Sequence, residues 1–190
     1  MKRILIGGIL GGIAIFVVSS ILHMLTPLAH AGLKAMPNDP AIERSLKETF
    51  PKEDGLYLFP GTDMEKKMTE AEEAAIMAKY QAGPTGMLLF YPKGRTFSFG
   101  GLLAKEFISD IVLALIAAFI VSLTVASFGQ RVILVTLLGF LAWLAISFSH
   151  LNWYGFPLNF ELAELVDQVA GFLLCGIILA WLYRSHRATA

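Results

Sequence analysis

Hydrophobic and polar positions divide the chain into four long apolar runs and one polar, turn-rich segment. The runs are Ile4–Leu22, a second within Leu102–Phe128, Val132–Phe148 and Leu162–Tyr183. A hydrocarbon core about 30 Å thick is crossed by about 20 mostly apolar residues in a helix, and each run is of that order. The pattern predicts an all-α membrane protein, a four-transmembrane-helix bundle with a small α/β extracytoplasmic insert between helices 1 and 2. The expected divisions are a first transmembrane helix over 1–23, the insert over 24–103, and a second helix over 104–128. A third helix over 132–150, a loop over 151–161, a fourth helix over 162–183 and a tail over 184–190 complete the chain.

Within the insert the punctuation is local. Asn38-Asp39-Pro40 marks a helix start, with Asp39 as cap and Pro40 in the first turn. Ile42, Leu46 and Phe50 then line one face, and Pro51 is the expected stop. Gly55–Gly61 reads as a short strand bounded by turn residues. Thr69-Glu70-Ala71-Glu72 is a capping box that opens a helix to about Gln81, before Gly83-Pro84. A second strand follows over Gly86–Pro92 and echoes the first. The intervening helix leaves open a parallel β-α-β pair or two edges of a small mixed sheet. Gly94–Gly101 reads as a turn-rich re-entry segment, with Phe97 and Phe99 suited to the lipid interface, and Gly129-Gln130-Arg131 as a tight connection.

The first run has two readings. Its basic start and the small-residue pattern Ala29-His30-Ala31-Gly32 fit a cleavable secretory signal. The run is longer than a signal core, however, and Gly7 with Gly11 and Gly8 with Gly12 stand at the spacing that lets a second helix approach closely. Retention as a membrane helix is the expectation.

Composition agrees with a membrane setting. Of 190 residues 56% are hydrophobic and 16% charged, against about 25% charged in soluble domains. The single cysteine, Cys175, excludes a disulfide framework within one chain and reads as packing in an apolar helix. No basic block of the kind nucleic acid requires is present. Net charge is zero, but the distribution is polarised. Lys2, Arg3, Arg131, Arg184 and Arg187 fall on one side, while all 15 Asp and Glu residues lie between Asp39 and Asp167. The positive-inside rule then places both termini in the cytoplasm and residues 24–103 outside, in a bacterial inner membrane. The order of spans is similar to that of claudins in topology alone, since their paired extracellular cysteines have no counterpart here.

With this orientation all four helices carry polar groups toward the outer end. Ser19, Ser20 and His23 end the first; Lys105, Glu106, Ser109 and Asp110 begin the second. Ser147, Ser149 and His150 end the third, and Glu161, Glu164, Asp167 and Gln168 begin the fourth. An ionisable residue within a span is a functional candidate by default, so His23, Asp110, His150, Glu164, Asp167 and Gln168 are the candidate polar layer. His23 and His150 could ligate one haem, or join Asp167 or Glu164 on a divalent metal. They could equally relay protons, and the alternative to all three is a hydrogen-bonded structural layer without a cofactor. No catalytic residue is assigned, since neither a phosphate loop nor a hydrolase elbow is visible. His30 reads as an exposed loop residue and His186 as part of the basic tail, and the acidic run around Glu70, Glu72 and Glu73 as a solvated helix face.

Two functions follow as expectations. One is a non-catalytic accessory or scaffold subunit that contacts the lipid bilayer and other membrane subunits, or itself, with Gly7, Gly8, Gly11 and Gly12 as a packing face. The other is a metal- or haem-binding redox protein or small transporter that uses the polar layer.

Overall fold

A computed structural model describes residues 1–50, 52–63 and 65–184. Pro51, and the part of the basic tail that carries His186 and Arg187, lie outside the described residues. In chain order the elements are α1 (Lys2–Leu25), a 3-10 turn (Pro27–His30), α2 (Pro40–Thr49), β1 (Gly55–Phe59), α3 (Glu70–Ala82), β2 (Gly86–Phe90), α4 (Phe99–Ser122), α5 (Phe128–Tyr154) and α6 (Leu158–Leu182). Two compact units result: Met1–Lys34 with the chain from Ser98 onward, and Ala35–Phe97.

Three helices, α1, α5 and α6, are long and apolar enough to cross a membrane. The second predicted span behaves differently. α4 is as long as α1, at 24 residues, but any stretch of it long enough to span contains Lys105, Glu106 and Asp110 together. Helix boundaries also move outward from the apolar runs, because capping and turn residues rather than hydropathy set them. Ser98 Oγ accepts the amide of Gly101 and starts α4 inside the expected re-entry segment, so Phe99 is helical. Ser127 and Gln130 form a reciprocal capping box that draws the expected Gly129–Arg131 connection into α5. Gly155, at φ 68°, ends α5 in the left-handed region that glycine adopts without strain. α6 then begins at Leu158, so Glu161 belongs to its first turn rather than to a loop.

The long helices pack antiparallel. A Cβ on Gly8 would lie 2.5 Å from Leu115 Cγ, and one on Gly12 would lie 2.6 Å from the Ile111 backbone. Position rises along α1 as it falls along α4. Gly7 and Gly11 abut α6, where an added Cβ would meet Leu179 and Cys175, each at 2.7 Å. α5 reaches α6 the same way: Gly139 lies under Phe172, and Gly176 under Val132 and Val135. The shared core is Ile15, Ala114, Ala117, Ala118, Val121, Val135, Phe172, Cys175 and Leu179. Small residues on α1 and α4 let backbones come close, the kind of packing by which membrane helices associate. Met1, Ser122, Phe128 and Leu182 therefore share one end of this unit.

The unit 35–97 is built differently. β1 and β2 pair antiparallel from Gly55↔Phe90 to Phe59↔Gly86, which removes the parallel β-α-β alternative. Asp39 and Thr69 cap α2 and α3 through their side chains. Phe50 packs edge-on to Tyr57 at 5.4 Å and tilted on Phe90 at 5.2 Å. Among the described residues of this unit none is buried. Antiparallel pairing also explains the echo between the two strands, because each supplies one apolar ridge to the same face.

Candidate functional site

At the end of the bundle remote from Met1, the last turns of α1 meet the first turns of α6. Ser19 Oγ donates to Asp167 Oδ2 at 3.2 Å, and His23 Nε2 lies 3.8 Å from the same oxygen. The other Asp167 oxygen is buried without a partner. A cleft of about 430 Å³ opens here, walled by Phe16 and Phe99 and lined by Ser19, His23, Glu106, Glu164, Asp167 and Gln168. Asp110, one helical turn beyond Glu106 on α4, is 3% exposed, and its Oδ2 has no hydrogen-bond partner. Ser19 and His23 share a face of α1 by their four-residue spacing, and Glu164, Asp167 and Gln168 share one of α6.

A second cleft, also about 430 Å³, lies between α5 and α6. His150 Nδ1 is 3.7 Å from Glu161 Oε1, and its ring stacks on Phe156 with centroids 5.0 Å apart. Glu161 is 1% exposed, and neither carboxylate oxygen accepts a hydrogen bond. Trp143 Nε1 donates to the Glu161 carbonyl oxygen at 2.7 Å, which ties α5 to the first turn of α6. Glu164 and Gln168 line both clefts.

All six candidate layer residues thus gather at one end of the bundle, but they divide between its two flanks. His23 pairs with Asp167, His150 with Glu161, and the two imidazoles line different clefts. Such placement does not offer both histidines to one haem iron. For a metal, His23 and Asp167 adjoin, yet among the described residues no three His, Cys, Asp or Glu side chains converge on a common point. Glu161 was read as one of the polar groups that begin the fourth helix but not as a candidate, and Trp143 was not legible as a site residue. The spacing of Glu161, Glu164 and Gln168, three and then four residues apart, carries the signal, provided that α6 begins at Leu158 rather than at Leu162.

The opposite end is basic. The Arg131 guanidinium donates to the Tyr183 carbonyl at 2.7 Å, and the Tyr183 hydroxyl donates to Ala118 O at 3.3 Å. Arg184 lies over the Phe128 ring at 5.9 Å. Gly7, Gly8, Gly11 and Gly12 are buried within the chain's own bundle.

No family model matches the chain, and neither curated proteins nor solved structures give a match.

Proposed function

We propose that the chain is a four-span, non-catalytic membrane protein whose acid-rich layer takes up protons or a cation. The observation that carries this reading is a charge imbalance. Four carboxylates, Glu106, Glu161, Glu164 and Asp167, line the two clefts, against one histidine in each and no lysine or arginine. Asp110 is buried near them, while Lys105 stands at the same end outside both linings. An unpaired ionised carboxylate removed from water costs several kcal/mol or more, and bound protons or a cation would relieve that cost at Asp110 and Glu161, the two buried acids of the layer. An inert hydrogen-bonded layer would be expected to balance acceptors with donors; here oxygens of Asp110, Glu161 and Asp167 have none. The span count is completed by α4, whose three charged residues face the layer end and leave an apolar remainder from Ile111 to Ser122. Basic residues at the opposite end favour a cytoplasmic location for both termini, and hence an inner membrane of a bacterial cell with 24–103 outside.

The test is flux. The full chain in liposomes that enclose a pH-sensitive dye should carry protons down an imposed potential, and Asp167→Asn should reduce that rate about tenfold or more. Rates equal to those of protein-free vesicles, for protons and for sodium and potassium alike, would remove the reading.

A second reading, an accessory subunit, is favoured by the unit 35–97. Leu56 and Leu89, opposite one another on β1 and β2, are each 57% exposed, and none of the described residues of the unit is buried. A segment of this size is marginal without further burial, and a partner chain would provide it. Gentle extraction from the native membrane followed by native mass spectrometry would find foreign chains in fixed ratio; a bare chain would count against it.

A further inference from the structure

We propose that the cleft between α5 and α6 is a binding site for an organic ammonium group, with Glu161 as its counter-ion. This deepens the proposed layer, of which Glu161 and Glu164 are members, by assigning a ligand to the flank of α6 that faces away from Asp167. Four observations combine. First, Glu161 is 1% exposed and lines the cleft, and both of its carboxylate oxygens lack a hydrogen-bond donor. Trp143 spends its only N–H on the Glu161 backbone carbonyl, and His150 Nδ1, at 3.7 Å, is beyond hydrogen-bond distance. Second, the walls are aromatic: Trp143, Phe156 and Phe160 line the same cleft, and aromatic faces attract a cation within about 6 Å of the ring centroid.

Third, the space suits an organic body rather than a bare ion. The cleft encloses about 430 Å³, within the range of about 300–1,000 Å³ of small-molecule sites. A metal ion would need several converging ligands, and among the described residues no three ligating side chains converge. Fourth, the fixed charge is negative, and His150, 3.7 Å from Glu161, is the one titratable base in the lining. Glu164 adds a second carboxylate to the lining, and no lysine or arginine is there to receive an anion. Ser147, 8% exposed, and Gln168 supply neutral hydrogen-bonding groups that orient a ligand without adding charge. An ammonium with an apolar tail satisfies all four at once: its N–H groups meet Glu161, and its tail lies against Ile146 and Leu113. That chemistry comes either from a lipid headgroup amine or from a soluble small amine.

The probe is hexylammonium, with 1-hexanol and hexanoate as neutral and anionic matches, on the full chain in phosphatidylglycerol nanodiscs. Trp153→Phe and Trp181→Phe leave Trp143 as the sole tryptophan of the three, so its emission reports the cleft. Hexylammonium should give a saturable change, with hexanol and hexanoate about tenfold weaker or more, because only the cation meets a carboxylate. Glu161→Gln should weaken hexylammonium about tenfold and leave hexanol unchanged. Ala142→Leu, which fills the cleft without touching the carboxylate, should weaken both amine and alcohol while far-UV circular dichroism stays that of the parent. Phosphatidylethanolamine added to the discs should compete with hexylammonium if the source is the headgroup, and should not if it is a soluble amine. Equal binding of hexylammonium and hexanol, parent-like hexylammonium affinity in Glu161→Gln and Ala142→Leu, or no saturable signal would overturn the proposal. Proton flux through the Asp167 layer is a separate readout, so failure of either idea leaves the other testable.

Discussion

Glu72 shows how one carboxylate can be read down to a pH dependence. Its Oε2 accepts the Thr69 amide at 2.8 Å and the Thr69 hydroxyl at 2.9 Å, while Oε1 accepts from Lys66 Nζ at 3.0 Å. The backbone bond from Thr69 is the main cause that holds this carboxyl below its ordinary value of 4.5, with Lys66 and the Thr69 hydroxyl adding to it. A depressed folded value means that the cap contributes fully at neutral pH, above the unfolded value. Its contribution is lost as pH falls from about 4.5 through the lower folded value. The amide resonances of Thr69 and Glu72 should therefore titrate together with a midpoint below 4.5. A midpoint at or above that value would show that the capping box does not form. Glu161 and Asp110 are the contrasting case: their surroundings hold few donors, and only packing of neighbouring helices creates those surroundings.

At the scale of the element, close approach decides which glycines matter. A methyl on Gly12 would stand 2.6 Å from Ile111 Cα and 2.8 Å from its backbone nitrogen. Backbone gives way less readily than a flexible side chain, so Gly12→Ala must push α1 off α4. The expected cost is about 1–3 kcal/mol, seen as a lower melting temperature of the purified protein. Gly129 sits in the first turns of α5 with nothing within 4 Å of an added Cβ. Gly129→Ala should therefore be neutral or stabilise by about 0.5–1 kcal/mol, since glycine is the poorer helix former. Equal melting temperatures for the two variants would contradict the packing described. The same geometry places the glycine face inside the chain's own bundle, where it meets α4 and α6 and leaves no room for a second partner helix. Legibility at this scale was uneven. Glycine spacing on α1 and the Thr69 capping box were visible in sequence, because both are short-range patterns. The true starts of α4, α5 and α6 were not, because Ser98, Ser127 and Pro157 set them outside the apolar runs that drew attention.

Across the whole molecule, the antiparallel packing gathers Lys2, Arg3, Arg131 and Arg184 at one end and the carboxylate layer at the other. The proposed orientation is open to a direct labelling test. In a Cys175→Ser background, single cysteines Lys93→Cys and Trp153→Cys should react with an impermeant maleimide applied to sealed right-side-out vesicles. Gly129→Cys should react only after the vesicles are opened. Reaction of Lys93→Cys and Gly129→Cys from outside, with Trp153→Cys silent until the vesicles are opened, would remove α4, with Lys105, Glu106 and Asp110, from the span count. Reaction of Gly129→Cys alone would reverse the orientation. The gathering of polar groups at one end was legible because antiparallel helices bring alternate helix ends together. The division into two flanks was not, because it depends on how each helix is rotated about its axis.

The sequence by itself determined that the chain carries helices of membrane-crossing length, that charge is polarised between their ends, and where the caps of α2 and α3 fall. These are properties of composition and of spacing within a few residues, and hydropathy, capping and charge act at that range. Only the tertiary structure decided that Gly8 and Gly12 meet α4 while Gly7 and Gly11 abut α6, that the strands pair antiparallel, and that Glu161 is buried beside His150 with Trp143 bonded to its backbone carbonyl. The physical reason is that a buried polar group is defined by its neighbours. Whether a carboxylate finds a donor, a proton or a ligand depends on side chains far away in sequence, and packing alone brings them within reach.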